Sequence, residues 1–177
     1  MTTFASGVVK AFHYAVLAVA ASSLAPALAA MQHGPVERSA ALTLTLGGVS
    51  RQLSPADLAR MRQSTMTVHN IHSNRDEVYT GVAVADLLTA GGLPFTKDTQ
   101  PMLLRSYIRA QGTDFYFVIY SGSEAEPDLT GSSMMVATRI DGHDLGNDGQ
   151  FKLVSRSDRR PARWVRNLLS LTLVIIN

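Results

Sequence analysis

The chain has 177 residues, no cysteine, and a formal net charge of +2 at pH 7. The absence of cysteine excludes disulfides, thiolate metal ligation and cysteine nucleophiles. The near-neutral charge argues against a surface built to bind nucleic acid, although the sequence pI is about 9.2. The length predicts one domain with a sufficient core.

Residues 1–29 have the order of a secretory signal peptide. Lys10 is their only charged residue, an apolar run covers 14–20, and an A-x-A pattern closes the segment at Ala29. This order predicts export, to the periplasm or as a secreted protein, with cleavage after Ala29 or one residue later. A retained membrane anchor is the alternative, although serines and a proline interrupt the apolar stretch. A flexible lead is predicted for 30–40 and the domain for 41–177.

Alternation of apolar and polar residues predicts that the domain consists mostly of strands. The predicted strands, in chain order, are residues 42–46, 49–53, 64–71, 78–80, 102–110, 115–120, 134–140, 151–155 and 167–176. Gly81 is expected to break the fourth strand. The aromatic strand 115–120 is expected to be central and buried on both faces, and the leucines of the closing strand are expected to lie in the core.

Short helices interrupt the predicted strands. Ser54 as N-cap, Pro55 at N1 and Asp57 at N3 mark one helix start. A second helix over 84–90 ends on a glycine pair, and the acidic stretch 121–129 allows one more helical turn. The predicted class is α+β: a mixed, mostly β domain with two or three short helices.

The stretch 151–166 carries the strongest chemical signal, because five arginines surround one proline and the only tryptophan. The arginine fork fits phosphate or carboxylate, and the flat face of Trp164 offers a stacking surface for a guanidinium or a heteroaromatic ring. We predict an anion cradle here, and a solvated basic turn is the alternative. The acidic residues Glu124, Glu126 and Asp128 are expected to be solvated or to pair with this loop.

Other catalytic and metal-binding signatures are missing from the sequence. There is no G-x-S-x-G, P-loop, G-x-G-x-x-G or H-E-x-x-H motif. Residues 144–149 match a calcium loop only in part, since Gly146 and Ser155 stand where acidic ligands belong, so a turn is predicted. His69 and His72 lie three apart on a predicted strand and should face opposite sides, which argues against a two-histidine metal site.

Several landmarks follow one another in a family-like order. They are YTGVAVADLLTAGG at 79–92, a hairpin around Gly112, VATRIDGH at 136–143, FKLV at 151–154 and PARWV at 161–165. In this order the chain resembles the oxidoreductase molybdopterin-binding domain, the core of the sulfite oxidase fold. The resemblance runs from Leu42 to the end of the chain.

The resemblance implies loops that grip a phosphate-bearing pterin with basic side chains and backbone amides. In the family a basic residue directly before the late tryptophan contacts the cofactor, and Arg163 holds that place. His69 holds the place of a pocket residue on the strand before the helix motif. The cofactor-binding residues implied in this way, together with the arginine loop, are Arg156, Arg159, Arg160, Arg163, Trp164, His69, Arg139, Asp141 and His143.

The chain departs from the catalytic members of the family, which hold molybdenum through a cysteine placed after the strand corresponding to 64–71. His69, Asn70 and Ser73 are poor substitutes for a soft thiolate. We therefore expect a pterin or molybdopterin as ligand, without thiolate-ligated molybdenum and without molybdenum redox chemistry.

Three hypotheses follow from this pattern. The first is an exported, regulatory domain that binds a pterin or a similar anionic heterocycle. The second is a molybdopterin-dependent oxidoreductase whose metal is held by the dithiolene alone, and the third is a protein-interaction scaffold that has lost the pocket. A membrane-bound signalling or redox protein is one candidate partner.

Overall fold

Ten strands form two sheets in the computed structural model, which describes residues 37–131 and 133–176. The strands are β1 Leu42–Leu46, β2 Val49–Leu53, β3 Ser64–Asn70, β4 Arg75–Ala83, β5 Ser106–Gly112, β6 Phe117–Ser121, β7 Met134–Ile140, β8 His143–Asp144, β9 Lys152–Ser155 and β10 Leu168–Ile175. The predicted signal peptide and most of the lead lie outside the described residues.

The first sheet has the order β2-β1-β10-β5-β6, and the second has the order β3-β4-β7-β8 with β9 also paired to β7. All described pairings are antiparallel except that of β1 with β10. The larger core cluster takes residues from both sheets, including Leu44, Ile108, Val136 and Leu171. The mixed, mostly β prediction is confirmed.

Four short α-helices occur in the described residues: α1 Pro55–Arg60, α2 Val84–Ala90, α3 Gln100–Leu104 and α4 Pro127–Thr130. Helix α1 begins as predicted, because the Ser54 hydroxyl accepts from the Asp57 amide while the Asp57 carboxylate accepts from the Ser54 amide. Helix α2 matches its predicted bounds. The acidic stretch holds a 3-10 helix, Gly122–Ala125, followed by α4.

Two predicted strands have bounds that are wrong by several residues. Residues 102–104 belong to α3, in which Pro101 stands in the first turn, where its missing amide costs no helical hydrogen bond. Gly81 does not end its strand but lies inside β4. A Cβ there would stand 2.1 Å from the carbonyl oxygen of Val136, so glycine allows the close approach of β7.

The aromatic strand is an edge strand, which contradicts the prediction of a central one. Strand β6 pairs only with β5 among the described strands, so Phe117 and Ile119 are 50% and 45% exposed while Tyr120 is buried. In the closing strand Leu171 and Leu173 are buried as expected. A register shift between Leu168 and Ser170 leaves Leu169 exposed.

Candidate functional site

An open cavity of about 770 Å³ lies against one face of the second sheet. Its floor is formed by Thr80 of β4 and by Thr138 and Arg139 of β7. One wall consists of α1 and the residues after it, and the opposite wall is the loop that follows β8. The lining residues are Arg38, Pro55, Ala59, Gln63, Thr80, Thr138, Arg139, Asp144, Leu145, Gly146, Gly149 and Gln150.

A β-bulge builds the floor of this cavity. Thr80 pairs with Arg139 and Gly81 pairs with Ala137, so Thr138 is the extra residue of β7. A bulge bends the strand and changes the direction of its side chains, and here two successive residues line the same cavity. The Thr138 hydroxyl donates to the Thr80 carbonyl at 3.4 Å.

Polar groups line several sides of the cavity. Arg139 is exposed, and its guanidinium has no hydrogen bond or ion pair with any side chain in the described part of the chain. Arg38 donates from Nη2 to the Gly146 carbonyl at 3.1 Å. Gln63 donates from Nε2 to the carbonyls of Leu58 and Met61 at 2.7 and 3.0 Å. The cavity therefore offers one uncommitted cation beside fixed polar groups.

Arg163 is already neutralised by acidic side chains. Its Nε and Nη2 donate to Oδ1 of Asp158 at 2.9 and 2.6 Å, and Nη2 also donates to Oε2 of Glu124 at 2.9 Å. Burial opposes the charged form, but the hydrogen bonds to Glu124 and Asp158 outweigh it and raise the pKa of Arg163. The acidic stretch was expected either to be solvated or to pair with the arginine loop. Glu124 pairs with it through Arg163.

Trp164 is buried, so the prediction that its face is open to a ligand is wrong. It is 6% exposed, and its indole Nε1 donates to the Ser155 carbonyl at 3.2 Å. Its ring meets Tyr79 edge-on, with centroids 5.8 Å apart, and the Lys152 ammonium lies 5.3 Å from its centroid. The side chain fills the second core cluster because strand β9 and the 3-10 helix Pro161–Arg163 fold over it.

A buried polar network extends from this tryptophan. Lys152 Nζ donates to the Tyr79 hydroxyl at 3.1 Å and to Asp148 at 2.7 Å. The Tyr79 hydroxyl donates to Glu77 at 2.8 Å, and Glu77 is only 4% exposed. Burial, followed by the hydrogen bond to Glu77, raises the pKa of Tyr79. None of these residues was singled out from the sequence as a site residue.

The other predicted residues of the arginine loop are solvent-exposed. Arg156, Arg159 and Arg160 have no side-chain partner within the described ranges. Arg166 approaches Asp114 at 3.9 Å with 58% of its side chain exposed. For these side chains the geometry fits the alternative of a basic, solvated turn.

The three remaining predicted residues lie outside the cavity lining. His69 contacts Asp76 through Nδ1 at 2.9 Å. Asp141 shapes the turn after β7, because its Oδ1 accepts from the Val78 amide at 2.9 Å and its Oδ2 pairs with Arg75 at 3.2 Å. His143 is exposed on β8. Of the predicted site residues, only Arg139 lines the cavity.

A solved structure with a similar fold is the crystal structure of the sulfane dehydrogenase SoxCD from Paracoccus pantotrophus. The match has a TM-score of 0.59 at 16% identity and covers 79% of this chain and 40% of that chain. This chain therefore shares its fold with part of that structure and spans less than half of that chain's length. No family model matches the sequence, and no curated protein matches it.

The polar residues at the end of β3, where the sequence resemblance would place a metal-binding cysteine, are already committed to other side chains. Asn70 donates from Nδ2 to Glu77 and accepts from the His72 amide, each at 2.9 Å. The Ser73 hydroxyl donates to Glu77 at 3.0 Å, and His69 is engaged by Asp76. Hard oxygen donors committed to a carboxylate are a poor match for a high-valent soft-ligand centre.

The described residues contain neither a metal-binding cluster nor a membrane-spanning helix. Within residues 37–131 and 133–176, no group of three or more His, Cys, Asp or Glu side chains converges on a point that could hold a metal ion. No helix in the same ranges is long and apolar enough to cross a membrane.

Sequence reasoning missed most of the cavity. Arg38 lies in the segment predicted to be flexible, yet it and Glu37, whose carbonyl accepts from the Thr113 hydroxyl, contact the domain. Thr80 and Thr138 read as ordinary strand residues, because strict alternation conceals a bulge. The glycine at 81 was the available signal, since an interior strand glycine often marks a bulge or a close backbone approach.

Proposed function

We propose that the protein is an exported domain that binds a small, planar, anionic heterocycle, of which a pterin is the model, in the cavity over Thr80, Thr138 and Arg139. The observation that carries the proposal is the exposed Arg139 guanidinium, which has no partner in the described residues and stands over a cavity of about 770 Å³. Cofactor sites have volumes of about 300–1,000 Å³. The similarity in fold to SoxCD supports the class of ligand.

The polarity of the lining suits a ring with both donors and acceptors. Arg139 offers a planar pair of donors for a carboxylate or phosphate. Asp144, its cross-strand partner, and the side chains of Gln63 and Gln150 offer acceptors for the N–H groups of a pterin ring. Pro55, Ala59 and Leu145 supply apolar contact for the ring faces. The ligand's anionic group would therefore be held by Arg139, with a second positive charge on Arg38, and its ring would be oriented by Asp144 and the two glutamines.

We further propose that the ligand binds without a protein-ligated molybdenum ion and without redox catalysis. The chain has no cysteine, and the side chains at the end of β3 are already committed to Glu77 and Asp76. The proposal includes a regulatory role, in which the ligand changes the affinity of the exported domain for a membrane-bound partner.

The test is titration of purified protein with pterin-6-carboxylate, followed by calorimetry or by the anisotropy of pterin fluorescence. Arg139→Gln should lower the affinity roughly tenfold to hundredfold, because a charge-assisted hydrogen bond contributes about 1.5–3 kcal/mol. The melting temperature should stay unchanged, since Arg139 has no partner to lose.

Arg160→Gln is the matched control, because it removes an exposed, unpaired arginine of the predicted loop. It should leave the affinity unchanged. Loss of binding with Arg160→Gln, but not with Arg139→Gln, would move the site to the arginine loop. Absence of any pterin binding would overturn the proposal, and one molybdenum per chain in freshly purified protein would support the oxidoreductase instead.

A further inference from the structure

The hairpin that joins β5 to β6 presents a cluster of exposed aromatic and apolar side chains. Phe115, Tyr116, Phe117 and Ile119 are 81%, 44%, 50% and 45% exposed. A phenylalanine that is 81% exposed buries little apolar area in the folded domain, and neighbouring exposed apolar side chains mark an interaction surface.

The backbone at the tip of this hairpin is strained as well. Phe115 has φ +65°, a left-handed conformation that bulky residues rarely adopt. The strain holds an aromatic ring out into solvent, where it has no packing role in the domain. Such strain at an exposed site points to a function at the tip.

Arginines surround the aromatic cluster. The Tyr116 hydroxyl donates to the carbonyl of Ala162, which fixes the tip beside the loop that carries Arg159 and Arg160. The guanidinium of Arg109 lies 4.5 Å from the ring centroid of Phe117. The tip and the loop therefore lie side by side, while Arg109, Phe117 and Ile119 lie on the opposite face of the hairpin from Tyr120 and the loop. We name the tip and the loop the hairpin patch: Phe115, Tyr116, Arg159 and Arg160.

The charge of the hairpin patch is positive. Two nearby carboxylates face other arginines: Asp158 pairs with Arg163, and Asp114 lies 3.9 Å from Arg166. Arg159 and Arg160 are exposed and have no side-chain partner in the described residues. A complementary partner must therefore combine an anionic layer with an apolar one.

We propose that the hairpin patch docks the domain on a bilayer surface that contains anionic lipids. The bilayer interface has this layered chemistry: anionic head groups outside and hydrocarbon beneath. Aromatic rings partition to the boundary between the two, and basic residues are attracted by the surface potential. Phe115 enters the boundary, while Arg159 and Arg160 contact the head groups.

The test uses the full chain with a single fluorescent label. Because the chain has no cysteine, Phe115→Cys gives one attachment point for an NBD group at the tip. Vesicles of equal parts phosphatidylglycerol and phosphatidylcholine should shift the NBD emission to the blue and increase its intensity. Vesicles of phosphatidylcholine alone should leave the emission unchanged. A second control carries the same label at Gln52→Cys, on the opposite edge strand β2, and its emission should not change with either type of vesicle.

Charge variants in the labelled chain test the role of the arginines. Arg159→Gln with Arg160→Gln should lower the vesicle partition coefficient roughly twenty-five-fold, at about fivefold for each basic residue near the surface. Arg51→Gln with Arg62→Gln is the matched control, because it removes the same charge from exposed positions outside the patch, and it should retain the blue shift. Every variant carries the same N-terminal segment, so that segment contributes equally.

Three results would overturn the proposal. The first is an unshifted emission with anionic vesicles, and the second is an equal loss for the two charge variants. The third is a blue shift of the NBD emission in the absence of lipid. A shift that grows with protein concentration would identify a second copy of the chain as the occupant of the patch. A shift with soluble polyglutamate alone would identify an acidic protein as the occupant.

Discussion

Arg163 donates from both Nε and Nη2 to the Oδ1 atom of Asp158, whose side chain is only 8% exposed. The same guanidinium lies over the ring of Tyr120, 4.2 Å from its centroid, and the Tyr120 hydroxyl donates to the Arg163 carbonyl at 2.6 Å. The residue expected to grip a ligand therefore holds the late loop against the edge of the first sheet.

The first prediction is that Arg163→Ala destabilises the domain. Removal of the guanidinium leaves the nearly buried Asp158 carboxylate without its main partner, and an uncompensated buried polar group costs about 1–3 kcal/mol. The measurement is the free energy of unfolding in urea, at neutral pH.

Arg166→Ala provides the comparison for this prediction. Its side chain is 58% exposed and lies 3.9 Å from Asp114, so its loss should cost less than about 0.5 kcal/mol. Equal stability of the two variants would contradict a structural role for the Arg163 pair.

The second prediction concerns alkaline pH. Burial raises the pKa values of Tyr79 and Tyr120 above the ordinary tyrosine value. A raised folded pKa means that the native state binds the proton more tightly, so this stability is complete below the unfolded pKa of about 10 and is lost as pH rises above it. Alkali should unfold the domain before these two phenols ionise.

Phenolate absorbance and unfolding, measured together during a pH titration, check whether Tyr79 and Tyr120 ionise only when the domain unfolds. Of the five tyrosines in the chain, two should ionise only together with unfolding, and Tyr120→Phe should reduce that number to one. Reversible ionisation of all five in the folded protein would refute the prediction.

The third prediction is that Gly81→Ala damages both the fold and the cavity. The added Cβ would stand 2.1 Å from the Val136 carbonyl oxygen and 2.7 Å from the Ala137 Cα, so β4 and β7 must move apart. Overpacking of this kind costs about 1–3 kcal/mol or more. Because the bulge places Arg139, the affinity for pterin-6-carboxylate should fall as well.

Gly131→Ala is a suitable control for the glycine variant. Gly131 has φ +64° and open space around it, so alanine there should cost about 1–2 kcal/mol from backbone conformation alone. Its ligand affinity should remain that of the unaltered protein. A Gly81→Ala protein with normal affinity would show that the bulge does not position the site.

The fourth prediction concerns the N-terminus. If the signal-like segment is removed, the intact mass of the exported protein should correspond to a chain that begins at Ala30 or Met31. Recovery of the full-length mass from the membrane fraction would favour an anchor.

Local signals were enough to predict much of the fold. Strand β7 and helix α2 have their predicted bounds, because side-chain alternation in one case and a terminal glycine pair in the other depend only on neighbouring residues. The strand 115–120 was misplaced, since an apolar run does not reveal whether a second neighbour will pair with it. Sheet order is a tertiary property.

The site was harder to predict because it depends on register. Arginine-rich composition pointed to the late loop, but a sequence does not show that Asp158 and Glu124 will neutralise Arg163. Arg139 was named through the family resemblance alone. Its position over a cavity results from one extra residue in β7, together with a lead segment whose Arg38 returns to the domain.

The place of β10 between β1 and β5 has a consequence for how the protein matures. Strand β1, near the start of the domain, finds its parallel partner only in β10, so the first sheet stays open in two halves while the intervening residues are synthesised. Pairing between such distant segments slows folding. The first sheet can therefore be completed only after β10, the last strand of the domain, has been made.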